Sequence, residues 1–337
     1  MKGFFMRIVV DAMGTDERPV PDIEGGVMAA REFGDTIIFV GDKTKIEAEL
    51  VRHSTSDLSL EVVHAAEEIL MDDKPSIVMK SKPESSMHVG MALVKDGKAD
   101  AFMSCGNSGA THAIATLRTL RRIPGVKRPA LTAIYPFNGK PVVLLDVGAN
   151  ADVKVEFLQQ FALMGHIYAK QTYGIENPRV ATLSNGEEEG KGNELTKEAQ
   201  IAIQSLKNIH YIGHIEPKEM SLGYADVIVM DGFVGNILIK TFEASISYFT
   251  DIIRQQMRAD LLSTTGALLA RGAFKRIRNQ IDPREVGGGP LLGVNGVVII
   301  GHGSSDAFTV RSAILQARKA VEGNTVEEIT RGLEQLN

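Results

Sequence analysis

Short runs of apolar, largely β-branched residues alternate along this chain with longer stretches whose apolar positions recur at helical spacing. Buried strands produce the first pattern and the helices that cover them the second. Strands are predicted at residues 7–10, 37–40, 101–103, 131–135, 142–145, 180–183, 227–230 and 297–300. The class implied is α/β: a doubly wound sandwich built on a mainly parallel sheet. One region departs from the alternation. Residues 241–257 read as one long helix, and from 258 to 290 the pattern is interrupted at Gly266, Gly272 and Gly287 to Gly289. The expected organisation is an α/β catalytic domain, 1–250 with 291–337, and a protruding helical excursion at 251–290.

The segments at the exits of the predicted strands are more specific than the strands themselves. DAMGT (11–15), GD (41–42), SCGNSGA (104–110), DVGAN (146–150), SNGEEEGKGN (184–193), DGFVGN (231–236) and GHGSS (301–305) share one chemistry of Gly, Asn, Ser and Asp. In parallel sheets, ligands bind beyond the carboxyl ends of the strands, where the next helices aim backbone N–H groups at an anion. Any single loop needs turn residues in any case. Seven with one chemistry point to a polar, glycine-rich rim that holds an anion.

Within these loops, Lys191 sits among Glu187, Glu188, Glu189 and Glu194. Neighbouring carboxylates favour the ammonium form, which suits a fixed cation for phosphate or a developing oxyanion rather than a nucleophilic lysine. A solvated charged loop would have the same composition. Asn236 is expected at the start of a long helix, as a polar contact or as a helix cap. Asn107 and Ser108 form a small-residue turn ahead of a helix at 110–120, open to close backbone approach by an anion. Cys105, the single cysteine, could carry an acyl group as a thioester. No His adjoins it in sequence, and a small buried thiol at a strand end is the commoner situation. Three consecutive glutamates do not converge easily on one ion, so no metal site is expected.

Composition narrows the class further. With 337 residues, 44% hydrophobic and 23% charged, the chain has ample material for a buried core. A net charge of -5 gives no global attraction to nucleic acid or to an anionic membrane. One cysteine precludes an internal disulfide and fits a reducing compartment, hence the cytoplasm. The start, MKGFFMRIVVD, does not read as a signal peptide, and no apolar run reaches membrane-spanning length. Two basic clusters are local exceptions. Arg118, Arg121, Arg122, Lys127 and Arg128 occur together with no acid among them, as if to meet phosphate groups or an acidic partner protein; a solvated helix end is the alternative. Between Arg254 and Arg278 basic residues outnumber the lone Asp260 and are interleaved with Leu268, Leu269, Phe274 and Ile277. Basic plus apolar on a broken helix reads as a membrane-surface element, or as a helical pair buried against a second subunit.

The ordered set MRIVVDAMG, SSM with VKDGKADAF, SCGNSGA, RPAL, DVGAN, GEEEGKGNELTKEA, ADVIVMDGFVGN and GVNGVVIIGHGSS resembles the bacterial phosphate acyltransferases, across nearly the whole chain. The resemblance implies a cytosolic, cofactor-free enzyme that passes a long-chain acyl group from acyl carrier protein to inorganic phosphate at the entrance to phospholipid synthesis. It implies a homodimer with a fold similar to phosphotransacetylases and to isocitrate and isopropylmalate dehydrogenases. It implies peripheral association with the inner face of the cytoplasmic membrane through the excursion. It assigns catalysis to Lys191 and Asn236. With it, Asp11, Gly14, Asn107, Ser108, Asn150, Asp231 and His302 become candidate phosphate- or acyl-binding residues, and Leu268, Leu269, Phe274 and Ile277 candidate membrane contacts. The sequence departs from the family at Thr15, where Gly is usual, and at Cys105, where a small residue such as Ala is usual. Met1 to Phe5 precede the usual starting methionine. The other readings that stay open are a short-chain phosphotransacetylase using acyl-CoA, a dehydrogenase of related fold and a non-enzymatic scaffold for acyl carrier protein at the membrane.

Overall fold

The computed structural model describes residues 5–137, 139–188, 190–281 and 283–336, with the backbone alone at 278–281 and 283. Residues 1–4 of the expected extension, Glu189 of the acidic run and the side chain of Arg278 therefore lie outside the described residues.

Eleven strands among the described residues form one sheet: β1 (Arg7–Asp11), β2 (Thr36–Gly41), β3 (Leu60–His64), β4 (Ala101–Ser104), β5 (Ala130–Phe137), β6 (Lys140–Leu145), β7 (Arg179–Leu183), β8 (His210–Ile215), β9 (Val227–Val229), β10 (Gly289–Leu292) and β11 (Val297–Ile300). Their order is β3-β2-β1-β4-β11-β10-β5-β6-β9-β7-β8. Seven of the ten pairings are parallel; β11–β10, β10–β5 and β5–β6 are antiparallel. All eight expected strands are present. The three that sequence reading missed carry weak apolar signals. β3 and β8 are the two edges, with half-exposed stretches interrupted by Glu61, His210 and His214. β10 is a four-residue GPLL insert.

Alternate side chains enter opposite cores because successive strand residues point to opposite faces. Ile8 and Val10 join the core under helices Val20–Phe33 and Ala307–Glu322, while Val9 joins the one under Ser86–Lys95. In the second half, Val143 and Leu145 pack with helix Val155–Tyr173, and Val142 and Leu144 face the opposite side. Burial on both faces explains why the strands read as continuous apolar runs.

The antiparallel centre changes where the strand exits lie. Because β6 runs against β5, the strands β6, β9, β7 and β8 point the opposite way to β1, β4 and β11. One shared edge, as the sequence reading expected, is therefore not how the loops meet. Stagger brings them together instead. Ile300, the last residue of β11, pairs with Gly289; two residues on, Leu291 pairs with Leu131, and Thr132 pairs with Leu145, the last residue of β6. The ends of oppositely directed strands thus reach nearly the same rung at the seam between the halves.

Helix Gly232–Met257 leaves this seam. Its first turns pack through Leu238, Ile239 and Phe242, with the Phe242 ring edge-on to Tyr135 at 5.3 Å and Phe137 at 5.5 Å. Of its 26 residues only Gly232 and Gly235 are buried, and helix Leu261–Leu269 buries none. After helix Arg271–Ile281 the chain rejoins the sheet before residue 290. A Cβ on Gly287 would stand 2.3 Å from the Ala313 nitrogen, and one on Gly289 would stand 1.7 Å from the Thr132 oxygen, so the triglycine already fills the seam.

Candidate active site

The seam opens into a groove of about 510 Å³ whose walls include Ser108 from the β4 exit, Asn236 from the β9 exit, His302 from the β11 exit and the start of β5. A second groove of about 420 Å³ shares Ser108, Leu131 and Ile300 with it and adds Gly148 and Ala149 from the β6 exit. Four of the seven glycine-rich loops therefore face one connected space.

Asn236 lies in the second turn of its helix, not at the cap. The cap is Asp231, whose Oδ1 accepts from the Val234 N–H at 2.8 Å. Capping fixes the helix start, and helical spacing then puts Asn236, Ile239, Lys240 and Glu243 on the groove. The Asn236 amide is exposed and has no hydrogen-bond partner among the described residues. Ser108, the first residue of its helix, is also exposed. His302 is held by its neighbour: the Ser304 N–H donates to its Nδ1 at 3.3 Å, and the Ser304 hydroxyl lies 2.8 Å away. With Nδ1 accepting, the neutral ring carries its proton on Nε2 and is a donor there.

The other candidates in these loops hold the loops together. Asn107 accepts from the Ala110 N–H at 2.9 Å and donates to the carbonyls of Leu70, Met71 and Asp73, which pins residues 70–73 to the β4 exit. Asn150 donates to the Pro129 carbonyl and to Asp146, both at 2.8 Å. Asp146 is buried and also accepts from the backbone of Leu131, Gly148, Ala149 and Asn150. Burial pushes its carboxyl up, and those donors oppose the rise. Asp11 is wholly buried; it accepts from the Ser104 hydroxyl at 2.7 Å and the Met13 N–H at 3.1 Å, and burial pushes its carboxyl up as well. Gly14 permits close packing of two exits, since a Cβ there would stand 2.9 Å from the Cys105 nitrogen.

Lys191 is not among the residues lining either groove. It stands half-exposed on the β7 exit, 3.6 Å from a Glu188 carboxylate oxygen. β7 pairs with β9, so this loop leaves the sheet beside the one that carries Asn236. Cys105 is fully buried, and burial pushes its thiol far above the ordinary range, the opposite of what a thiolate nucleophile needs.

Sequence reading missed two cations of the groove. Lys240 pairs with Glu243 at 2.9 Å, and Arg284 pairs with Asp306 at 2.9 Å. The first was available from its helical spacing to Asn236. Arg284 lies within the expected excursion, and only the return of the triglycine to the seam places it here. Among the described residues, no group of three or more His, Cys, Asp or Glu is placed to hold a metal.

A model of the fatty acid synthesis protein family matches residues 6–328. This chain belongs to that family. The match takes in all but the ends of the chain, as the ordered motifs do. The phosphate acyltransferase of Geotalea daltonii is 42% identical over 328 residues, covering 96% of this chain and 94% of the relative. That of Nitratidesulfovibrio vulgaris is 43% identical over 326 residues, covering 97% and 94%. A solved phosphotransacetylase from Streptococcus pyogenes is 18% identical with a TM-score of 0.61, covering 96% of this chain and 94% of that one; it bears on the fold alone. This member of the fatty acid synthesis protein family thus has the α/β architecture expected of it.

Proposed function

We propose that this chain transfers a long-chain acyl group from acyl carrier protein to inorganic phosphate, giving acyl-phosphate and free carrier for phospholipid synthesis. An acyltransferase acting on phosphate follows from the family and from relatives at about 42% identity. The observation that carries the site assignment is the unpartnered Asn236 amide facing a groove shared with Ser108 and His302.

A phosphate oxygen attacks the thioester carbonyl, and the new C–O bond gives a tetrahedral oxyanion. Collapse breaks the C–S bond, and the proton of monohydrogen phosphate leaves with the carrier thiolate. Phosphate is already a nucleophilic anion, so the site's work is placement and charge stabilisation rather than deprotonation. Asn236 donates to the carbonyl oxygen or fixes phosphate, Ser108 and His302 add donors, and Arg284 and Lys240 supply positive charge. Lys191 adds a further cation from the neighbouring loop. Its ion pair with Glu188 is a surface one and holds it weakly. The apolar wall of Leu131, Ile134, Tyr135 and Ile239 suits an acyl chain.

Incubation of long-chain acyl-carrier with and without phosphate tests this. Phosphate-dependent appearance of free carrier is expected, and acetyl-CoA is a poor donor. Preference for acetyl-CoA would make the chain a short-chain phosphotransacetylase; carrier binding with no phosphate-dependent loss of thioester would leave only a scaffold.

The same reading places the protein in the cytoplasm as a homodimer that touches the membrane surface through the excursion. Leu268 is 72%, Leu269 85% and Ile277 54% exposed, with Phe274 half-buried. Arg271, Lys275 and Arg276 stand exposed beside them, the basic and apolar mixture of an interfacial helix. Among the described residues no helix is long and apolar enough to cross a membrane.

A further inference from the structure

Between Asp100 and Asp146 the chain contains no Asp or Glu, and the only basic cluster of that span lies on one loop. Arg118, Arg121, Arg122, Lys127 and Arg128 are all exposed, and none forms an ion pair with a described residue. The backbone that presents them is tied down. Ile123 N–H donates to the Gly293 carbonyl at 3.0 Å, and the Arg121 carbonyl accepts from the Asn295 N–H at 2.9 Å. Gln160 accepts from the Lys127 N–H at 2.8 Å and donates to the Gly125 carbonyl at 3.0 Å. Leu120, Ile123 and Val126 are buried beneath the loop. The result is a fixed platform of unneutralised charge.

The platform adjoins the smaller groove. Helix Ser108–Ala113 continues through Ile114–Arg118, so the segment that begins at Ser108 in the groove ends at the first of the five cations. His112, Ala113 and Leu117 line that groove on the way. Burial and the charge of Arg128 both push the His112 imidazole down, which places Arg128 electrically close to the groove wall. No other wall of the two grooves, among the described residues, ends in unpaired charge of this density: Lys240 and Arg284 each have a carboxylate partner.

We propose that this loop is the docking surface for an acidic carrier protein, positioned so that a thioester tethered to the carrier enters the groove at Ser108. The proposal rests on the acyl-carrier reading of the function. An acidic protein face matches the charge, and a preset array of arginines suits carboxylate pairing. An anionic bilayer is the weaker match, because Leu120, Ile123 and Val126 are turned into the core and only Leu117 and Pro124 stand exposed among the five cations.

The test compares the native protein with the double variant Arg118→Glu, Arg128→Glu and with its milder counterpart Arg118→Gln, Arg128→Gln. Each is assayed with long-chain acyl-carrier and with the same acyl group on pantetheine, and each is titrated directly with holo-carrier. Charge reversal should raise KM for acyl-carrier at least tenfold, with the Gln pair intermediate, while kcat at saturation and both constants for acyl-pantetheine stay within twofold. An unchanged KM for acyl-carrier, or an equal loss with both donors, overturns the docking assignment. So does loss of binding to phosphatidylglycerol vesicles with carrier binding intact, which would assign the loop to lipid. If the native protein turns over neither donor, the proposed acyl transfer falls. The titration still decides docking, which stands if charge reversal abolishes carrier binding and falls if binding is unchanged or absent from the native protein.

Discussion

Gly148 and Asn236 face each other across the exits of β6 and β9. A side chain on Gly148 would begin 3.9 Å from Asn236 Oδ1. The loop after one strand is thus kept bare beside an amide that the fold leaves unpartnered. Replacing Asn236 by Ala should lower acyl-phosphate formation at least tenfold, about 1.4 kcal/mol of transition-state stabilisation, with an unchanged unfolding midpoint because the residue is exposed. Lys191→Ala should show a loss of the same size. Near-native turnover by either folded variant removes that residue from the site.

Gly235, one residue earlier, has a structural task. An added Cβ would stand 2.0 Å from the Asp146 carbonyl oxygen, and backbone cannot yield as a side-chain end can. Gly235→Ala should destabilise the protein by roughly 1–3 kcal/mol and reduce turnover as the β6 exit shifts. Gly266→Ala, on the excursion where nothing lies within 4 Å, should be neutral or stabilising by about 0.5–1 kcal/mol. Urea unfolding of both variants checks the contrast; equal midpoints would contradict it.

Cys105 is fully buried and its thiol is held protonated. Cys105→Ala should therefore keep turnover within about threefold of native, well short of the at-least-tenfold loss expected of a catalytic group. The native thiol should resist iodoacetamide until the protein is denatured. Loss of acyl transfer in a well-folded Cys105→Ala protein would reinstate a thioester intermediate.

Thr15 and Asp22 set up a pH effect. The Thr15 hydroxyl donates to Asp22 Oδ2 at 2.6 Å, and burial, reinforced by the neighbouring Asp11, pushes the Asp22 carboxyl up to about 8. Above pH 4 an unfolded chain releases this proton, whereas the folded chain keeps it until about pH 8. The associated stability is thus complete in acid and declines as pH rises toward 8. Asp22→Asn, which cannot titrate, should gain on the native protein in thermal midpoint between pH 5 and pH 9. Parallel curves for the two proteins would show that Asp22 does not titrate in that window.

Leu268→Asp with Leu269→Asp should abolish sedimentation with anionic vesicles and leave the catalytic groove intact, since both side chains are exposed far along the excursion. Undiminished vesicle binding assigns the stretch to packing against a second subunit, which sedimentation velocity of the same variant would reveal as dissociation.

The fold was largely legible because strands buried on both faces leave unbroken apolar runs such as Ile8 to Val10 and Val142 to Leu145. β3, β8 and β10 escaped because edge strands are half-exposed and a Gly-Pro insert has little β signal. The loop chemistry was equally plain. Which loop residues face a ligand was not, because an Asn that caps a helix and pins a neighbouring loop, as Asn107 does, reads like one that is free, as Asn236 is.

The sequence by itself therefore determined the helix-on-sheet class, the glycine-rich exits and the family, since each depends on the order of residue types along the chain. Only the tertiary structure decided how those exits meet. The antiparallel β5–β6 turn reverses half of the sheet, and the four-residue β10 offsets the halves, so strand ends pointing in opposite directions reach one groove. That depends on pairing register between residues more than 150 positions apart, such as Thr132 and Pro290, and no local pattern encodes it.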